Sequence, residues 1–460
     1  MRNDLKRDEI DFEKTDVSRL FFKLFVPTLL GLLFGGLLNL ADGIFVGRGV
    51  GSDALAAVNV AAPVFMLATG TALLFGSGVS VVAAIHLSHG NIKAANINVT
   101  QALTVSVALL VVLALLCVFC PAVIAHLFGG EGRIVSYACD YLRNVAPGLV
   151  FTEVVIVGMF VLRLDASPKY AMYANITASV LNIFLDWLFV FPFGWGISGA
   201  AIATSLSETV GALMIIAYFI FPPHQLRLYK PKFSRKAILL TARNVGYMAK
   251  MGLSSFIGEI AISVMIILGN YHFMPMLHEE GVAAYSVACY LFPIVFMFGN
   301  AIAQSSLPII SYSYGRHDTQ KIRRTVRLSF AIAVVFGLAI TIAGYLLSSE
   351  AAALFIGTQS KAYGICADGL PYFSFGYLFF TLNIVLIGFY QATKHPRQAT
   401  FFMLLRSCIA LIPIFALLPD VLGVEGLWLA VPVSECLTFL CICLDFCFRR
   451  GKGGMTQAKA

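Results

Sequence analysis

The sequence predicts an all-α integral membrane protein of twelve transmembrane helices, arranged as two pseudo-twofold-related lobes of six helices in a parallel repeat. Three observations carry the prediction. Apolar runs long enough to cross a bilayer recur along the whole chain, basic residues fall in every second loop, and the second half repeats motifs of the first at a fixed offset. Of 460 residues, 59% are hydrophobic and 12% charged, with a mean hydropathy of +0.85, whereas a soluble domain carries about 25% charged residues. No polar stretch is long enough for an appended domain, which excludes a soluble catalytic or nucleic-acid-binding module. The net charge of +8 reads as Lys and Arg collected in cytoplasmic loops rather than as affinity for a polyanion. The ten cysteines, among them Cys117 and Cys120 and the cluster Cys436, Cys441, Cys443 and Cys447, fall almost all in apolar runs and read as small buried hydrophobes. With no second ligand pair beside the C-x-x-C, neither a transition-metal site nor a disulfide framework is expected.

Apolar runs bounded by Gly, Pro and charged clusters place the spans at about 20–46, 55–85, 97–124, 134–162, 170–191, 197–221, 247–273, 282–311, 326–347, 363–390, 401–418 and 424–448; each is close to the roughly 20 residues a bilayer core requires, or longer. The N-terminus is charged and mixed, and the first apolar run is too long for a signal-peptide core, so it reads as an uncleaved first helix. Basic residues gather before the first span and in alternate loops (Lys93; Arg163 and Lys169; Arg227 to Arg243; Arg316 to Arg327; Lys394 and Arg397; Arg449 to Lys452), while the opposite loops hold little beyond Arg48, Arg133 and Lys361. The positive-inside rule then puts both termini in the cytoplasm, which demands an even number of spans. The expected organisation is a cytoplasmic segment 1–19, a first lobe 20–221, a cytoplasmic linker 222–244, a second lobe 245–448 and a cytoplasmic tail 449–460.

The halves match across that linker. Gly196-Ile197-Ser198-Gly199 followed by Ser207-Glu208 returns 227 residues later as Gly423-Val424-Glu425-Gly426 followed by Ser434-Glu435. Pro168 corresponds to Pro396 at nearly the same offset, 228 residues. Six helices per half bring both halves into the membrane from the same side, so the repeat is parallel, with its pseudo-twofold axis along the membrane normal.

An ionisable group at mid-bilayer costs about 2.5–3.5 kcal/mol on insertion scales, so each needs a reason. Asn39 and Asp42 are three apart in the first span and Asn182 and Asp186 four apart in the fifth, so each pair shares a helix face. Thr204 of the sixth span reaches the same outer-half depth. Two carboxylates, amides and a hydroxyl are hard oxygen ligands suited to sodium, and two neighbouring carboxylates also favour sharing a proton. At the 227-residue offset Asp42 falls on Gly269, Asp186 on Pro413 and Thr204 on Val431; the fold itself therefore does not demand the polar set. Pro27 in the first span removes a backbone donor and permits a bend. The second lobe offers Glu259, Arg406 and Glu435, for which a buried Glu–Arg pair is the simplest reading. Glu208, at the repeat position of Glu435, reads as a packing or cavity residue.

Taken together, Pro27, Asn39-x-x-Asp42, Phe45-Val46-Gly47, Ala166-Ser167-Pro168-Lys169, Asn182-Ile-Phe-Leu-Asp186 and Gly199-Ala-Ala-Ile-Ala-Thr204 resemble the bacterial branch of the multidrug and toxic compound extrusion (MATE) transporters, from about residue 20 to 448. The resemblance implies a non-enzymatic, proton- or sodium-coupled antiporter in the bacterial cytoplasmic (inner) membrane. It would export amphipathic, often cationic, small molecules as a monomer among lipids, with no cofactor beyond the coupling ion and no nucleic-acid partner. It implies that Asp42, Asn182, Asp186 and Thr204 match the family's first-lobe cation site and that Pro27 matches its bending proline. Glu208 stands where the family commonly has glutamine. A related lipid-linked oligosaccharide flippase is the alternative, but only Arg143 and Arg406 lie within the membrane to hold a pyrophosphate. An intramembrane enzyme would need a nucleophile with a base or a motif such as H-E-x-x-H, and none is present. A receptor would bind ligand without turnover.

Overall fold

The structure, a computed structural model, describes residues 8, 10–221, 225–230 and 234–451, without the side chains of residues 39, 40, 52 and 449–451. Inside a bilayer no water satisfies backbone polar groups, and helices solve that internally. Every regular element among the described residues is indeed a helix: α1 (Val17–Gly49), α2 (Ser52–Ser88), α3 (Ile92–Phe119), α4 (Pro121–Leu127), α5 (Arg133–Leu164), α6 (Pro168–Val190), α7 (Gly196–Ile220), α8 (Arg235–Gly315), α9 (Thr319–Leu346), α10 (Ser348–Phe355), α11 (Lys361–Ala392), α12 (Pro396–Leu404), a π-helical turn (Leu405–Ile409), α13 (Leu411–Leu422) and α14 (Val424–Gly451). Their starts follow local chemistry. The side chains of Asp16, Asn91 and Asp318 cap α1, α3 and α9 by accepting from backbone N–H groups of the first turn, and α4, α6 and α12 begin on proline, where a missing N–H costs nothing.

Among the described residues eleven helical stretches are apolar and long enough to cross a membrane, and one of them is long enough to cross twice. The 81 residues of α8 would make a rod of about 120 Å, but His278 leaves helical geometry at φ 53°, ψ −153°. The chain reverses there: Tyr285 Oη donates to the Met265 carbonyl at 3.0 Å, and the Phe273 and Tyr285 rings stack at 4.6 Å. In a straight helix residues 265 and 285 would lie about 30 Å apart. The two arms of α8 bring the crossings to the predicted twelve.

Boundaries differ from the hydropathy reading at several ends, among them the ninth span, which begins at Thr319 rather than 326. The third span does not run to residue 124, because the helix stops at Phe119 and Pro121 opens α4. The seventh begins at Arg235 rather than 247, so Arg235, Lys236 and Arg243 are helical, where the sequence suggested a loop. The eleventh is α12 and α13 joined by the π turn around Arg406.

The chain divides into two compact units, Met1–Phe256 and Ile257–Ala460, called the first and second lobe below. In the first, α5 lies against α2, α3 and α7, and α6 against α1 and α7. Lipid tails are as apolar as leucine, so close packing must hold such helices together. Glycine makes it feasible: a Cβ at Gly252 would run into the Leu74 carbonyl, and one at Gly148 would lie 2.9 Å from Ser205. The opening of α8 is also tied to α3 by polar contacts, Gln101 donating to Thr241 and accepting from Asn244, both at 2.9 Å. Part of the linker lies along the same lobe, with Arg227 N–H on Asn96 Oδ1 (2.9 Å) and Tyr229 N–H on Thr100 Oγ1 (2.9 Å); linker prolines Pro222, Pro223 and Pro231 fall outside the described residues. In the second lobe α11 packs on α9 and α14 around an aromatic core of Phe273, Tyr285, Phe373 and Trp428.

Candidate functional site

Three helices of the first lobe deliver the polar set. On α6 the residues Asn175, Ser179, Asn182 and Asp186 follow at intervals of four, three and four, a single face of the helix, and that face turns inward: Ser179 is 1% exposed, Asn182 and Asp186 0%. Asn175 Nδ2 donates to the Gly31 carbonyl of α1 at 2.7 Å, pinning α1 to α6 one turn beyond Pro27. Pro27 lies inside α1, which nevertheless runs unbroken from Val17 to Gly49.

The hydrogen-bond network fixes how the Asn182 amide points. With its nitrogen donating to Asp186 Oδ2 at 3.0 Å, its oxygen accepts from the Thr204 N–H at 3.2 Å and from Thr204 Oγ1 at 3.3 Å, satisfying all partners. Thr204 Oγ1 also stands 3.1 Å from the Ala200 carbonyl, and its one proton serves a single acceptor at a time. Asp42 of α1 is near enough to Asp186 for the two carboxyls to interact electrostatically, and the buried Tyr141 of α5 feels both. The geometry thus unites Asp42, Asn182, Asp186 and Thr204. Asn39 is on α1, with its side chain outside the described residues.

One carboxylate oxygen of each acid, Asp42 Oδ1 and Asp186 Oδ1, is buried without a hydrogen-bond partner among the described residues. A bare dianion in such surroundings would cost several kcal/mol per charge. Oxygen ligands of this kind accept a proton or a hard cation, and either would complete the site.

Glu208 lies one helical turn from Thr204 on the same face of α7, beside Thr152, with Oε2 buried and unpartnered. Two residues of this lobe escaped sequence reasoning. Glu153 of α5 is 1% exposed, and the Ser106 hydroxyl of α3 is the polar neighbour its carboxyl has among the described residues, with no well-formed hydrogen bond to either oxygen; the signal was plain, an acid in the middle of an apolar span. Tyr141 gave none, since a tyrosine near a span end is ordinarily an interfacial residue.

The polar group of the second lobe is built differently. Arg406 grips Glu435 through Nε (3.0 Å to Oε1, 3.2 Å to Oε2) and Nη2 (2.6 Å to Oε1). Asn383 Nδ2 donates to Glu435 Oε2 at 2.7 Å, and the guanidinium lies 4.4 Å over the Phe380 ring. This is the expected buried Glu–Arg pair, held by the π turn. Glu259 sits half-buried on the first arm of α8, adjacent to Gly258, which faces the same small cavity as the pair.

Comparison with known proteins agrees with this architecture. The family model MatE matches residues 27–188 and 254–416. The chain is 24% identical over 443 residues to the multidrug export protein MepA of Staphylococcus saprophyticus, covering 93% of each chain. It is 24% identical over 433 residues to an FAD transporter of Shewanella oneidensis, covering 92% of each. A multidrug resistance MATE family transporter of the MOP superfamily, solved in an outward-facing conformation, superposes with a TM-score of 0.87 at 22% identity over 96% of this chain and 97% of that one. These relatives are transporters, not enzymes. The chain belongs to the MatE family of multi-pass membrane transporters, the multidrug and toxic compound extrusion proteins.

Proposed function

We propose that the chain is a cation-coupled antiporter that exports amphipathic, cationic small molecules from the bacterial cytoplasm by alternating access. Both termini are cytoplasmic, and the coupling ion, a proton or sodium, binds at Asp42, Asn182, Asp186 and Thr204. The observation that carries the reading is the pair of buried carboxylate oxygens on Asp42 and Asp186 that have no partner among the described residues: charge there is tolerable only while an ion is bound. Entry of the ion removes the repulsion between α1 and α6, and loss of the ion restores it, so occupancy biases the packing of α1, the helix that carries Pro27. Ion and cargo are then linked thermodynamically, each weakening the other's binding by the same factor.

The flippase alternative loses support at Arg406, whose charge is already neutralised by Glu435 and so offers no free guanidinium to a pyrophosphate. Relatives named for multidrug export and for FAD transport share the same 24% identity, so the test uses both kinds of cargo. Purified protein in proteoliposomes is given separately imposed proton and sodium gradients, with an amphipathic cation or FAD as cargo. The reading predicts transport of the cation driven by one of the two gradients and abolished in Asp42→Asn. Undiminished transport by that variant, properly folded, refutes it.

A further inference from the structure

At the end of the first lobe where the basic loops gather, the last turn of α2, the first two turns of α3 and the opening of α8 border an open cavity of about 670 Å³, within the roughly 300–1,000 Å³ typical of ligand pockets, with Arg243, Tyr247 and Lys250 exposed at it. Its polar lining is His86, Asn98, Arg243, Asn244, Tyr247 and Lys250, and no carboxylate lines it among the described residues. Arg243, Tyr247 and Lys250 follow at intervals of four and three, one face of α8. The face is held in place by the contacts of Gln101 with Thr241 and Asn244 and by the glycine approach of Gly78 to the Met248 carbonyl. Neither Arg243 nor Lys250 makes a hydrogen bond or ion pair with any described residue. The start of α3 adds the positive end of its helix dipole.

Two unpaired cations in a concave site without an acid repel the cationic cargo proposed above, so this cavity serves another ligand. We propose that it binds a phosphate group, presented by an anionic phospholipid head group or free in solution, with Arg243 and Lys250 as the charged contacts and Asn98 and Tyr247 as neutral ones. On the orientation proposed above the cavity lies at the cytoplasmic leaflet, where anionic lipids draw basic residues at about 1 kcal/mol each. Topology alone would place cations at this end of the helices, but not two of them unpaired in one pocket.

The test uses the full-length protein purified in detergent and measures binding of phosphatidylglycerol, phosphatidylcholine and inorganic phosphate by native mass spectrometry and thermal shift. It compares wild type with Arg243→Gln/Lys250→Gln and with Arg235→Gln/Lys236→Gln, a control of equal charge change on the same helix outside the cavity. Preference for phosphatidylglycerol over phosphatidylcholine, weakened about 30-fold by the cavity pair and kept by the control pair, supports a lipid head group. The same pattern with inorganic phosphate alone supports free phosphate as the source. Equal binding by wild type and the cavity variant, or an equal loss in the control, overturns the proposal. None of these readings depends on transport, so failure of the export assay and failure of this one are separable.

Discussion

Glu208 and Glu435 occupy equivalent places in the two halves, 227 residues apart, yet their surroundings diverge. Glu435 is clamped by Arg406 and Asn383, so its charge is completed within the protein. Glu208 has only Thr152 beside it and an orphaned Oε2. The pattern extends through both interiors: every buried, unpartnered carboxylate oxygen among the described residues belongs to the first lobe, on Asp42, Glu153, Asp186 or Glu208, whereas the orphans of the second lobe are neutral atoms such as Asn383 Oδ1 and Tyr377 Oη. A paired buried charge fixes a structure, and an unpaired one stays open to an ion from outside. On the function proposed, the first lobe is then the one that responds to the ion, while the second carries its buried charge already paired.

Substitutions that remove charge on either side test this contrast. The largest effect belongs to Asp186→Asn, which lowers coupled efflux by roughly 100-fold while leaving thermal unfolding near wild type, because the amide no longer asks for an ion. In the second lobe the order inverts. Arg406→Met leaves Glu435 buried without its cation and costs about 3–5 kcal/mol of stability, whereas the double substitution Arg406→Met/Glu435→Leu recovers most of that loss; chemical unfolding of the purified protein reads both. The smallest effect is Glu208→Gln and Glu153→Gln, each changing stability by less than about 1 kcal/mol, since neither acid has a charged partner among the described residues and the amide keeps an oxygen for the neighbouring hydroxyl of Thr152 or Ser106. A large destabilisation from either would place an unseen cation in the first lobe and erase the distinction between the halves.

Much of this was legible in the sequence, for physical reasons. A solvent without hydrogen bonds forces long apolar helices, so the twelve crossings follow from hydropathy and charge alone. Asp42, Asn182 and Asp186 stood out because ionisable and amide groups at helical spacing are costly in such runs. What stayed hidden depended on tertiary placement. Hydropathy cannot see that α8 continues as a helix beyond the membrane to Arg235, nor that its two arms form one 81-residue element broken at His278. Arg406, the partner of Glu435, sits in the π turn at Leu405–Ile409, an irregularity that no spacing rule reports. Glu153 has no polar neighbour on its own helix face in sequence; its neighbour Ser106 comes from another helix.

The most direct test of the responsive first lobe is equilibrium binding of an amphipathic cation to the purified protein across a range of pH and sodium concentration. The affinity of wild type should fall as the coupling ion saturates its site, and that dependence should vanish in Asp42→Asn/Asp186→Asn while binding itself persists. An ion dependence of equal size in the double variant would contradict the account, because the linkage would then reside elsewhere in the molecule.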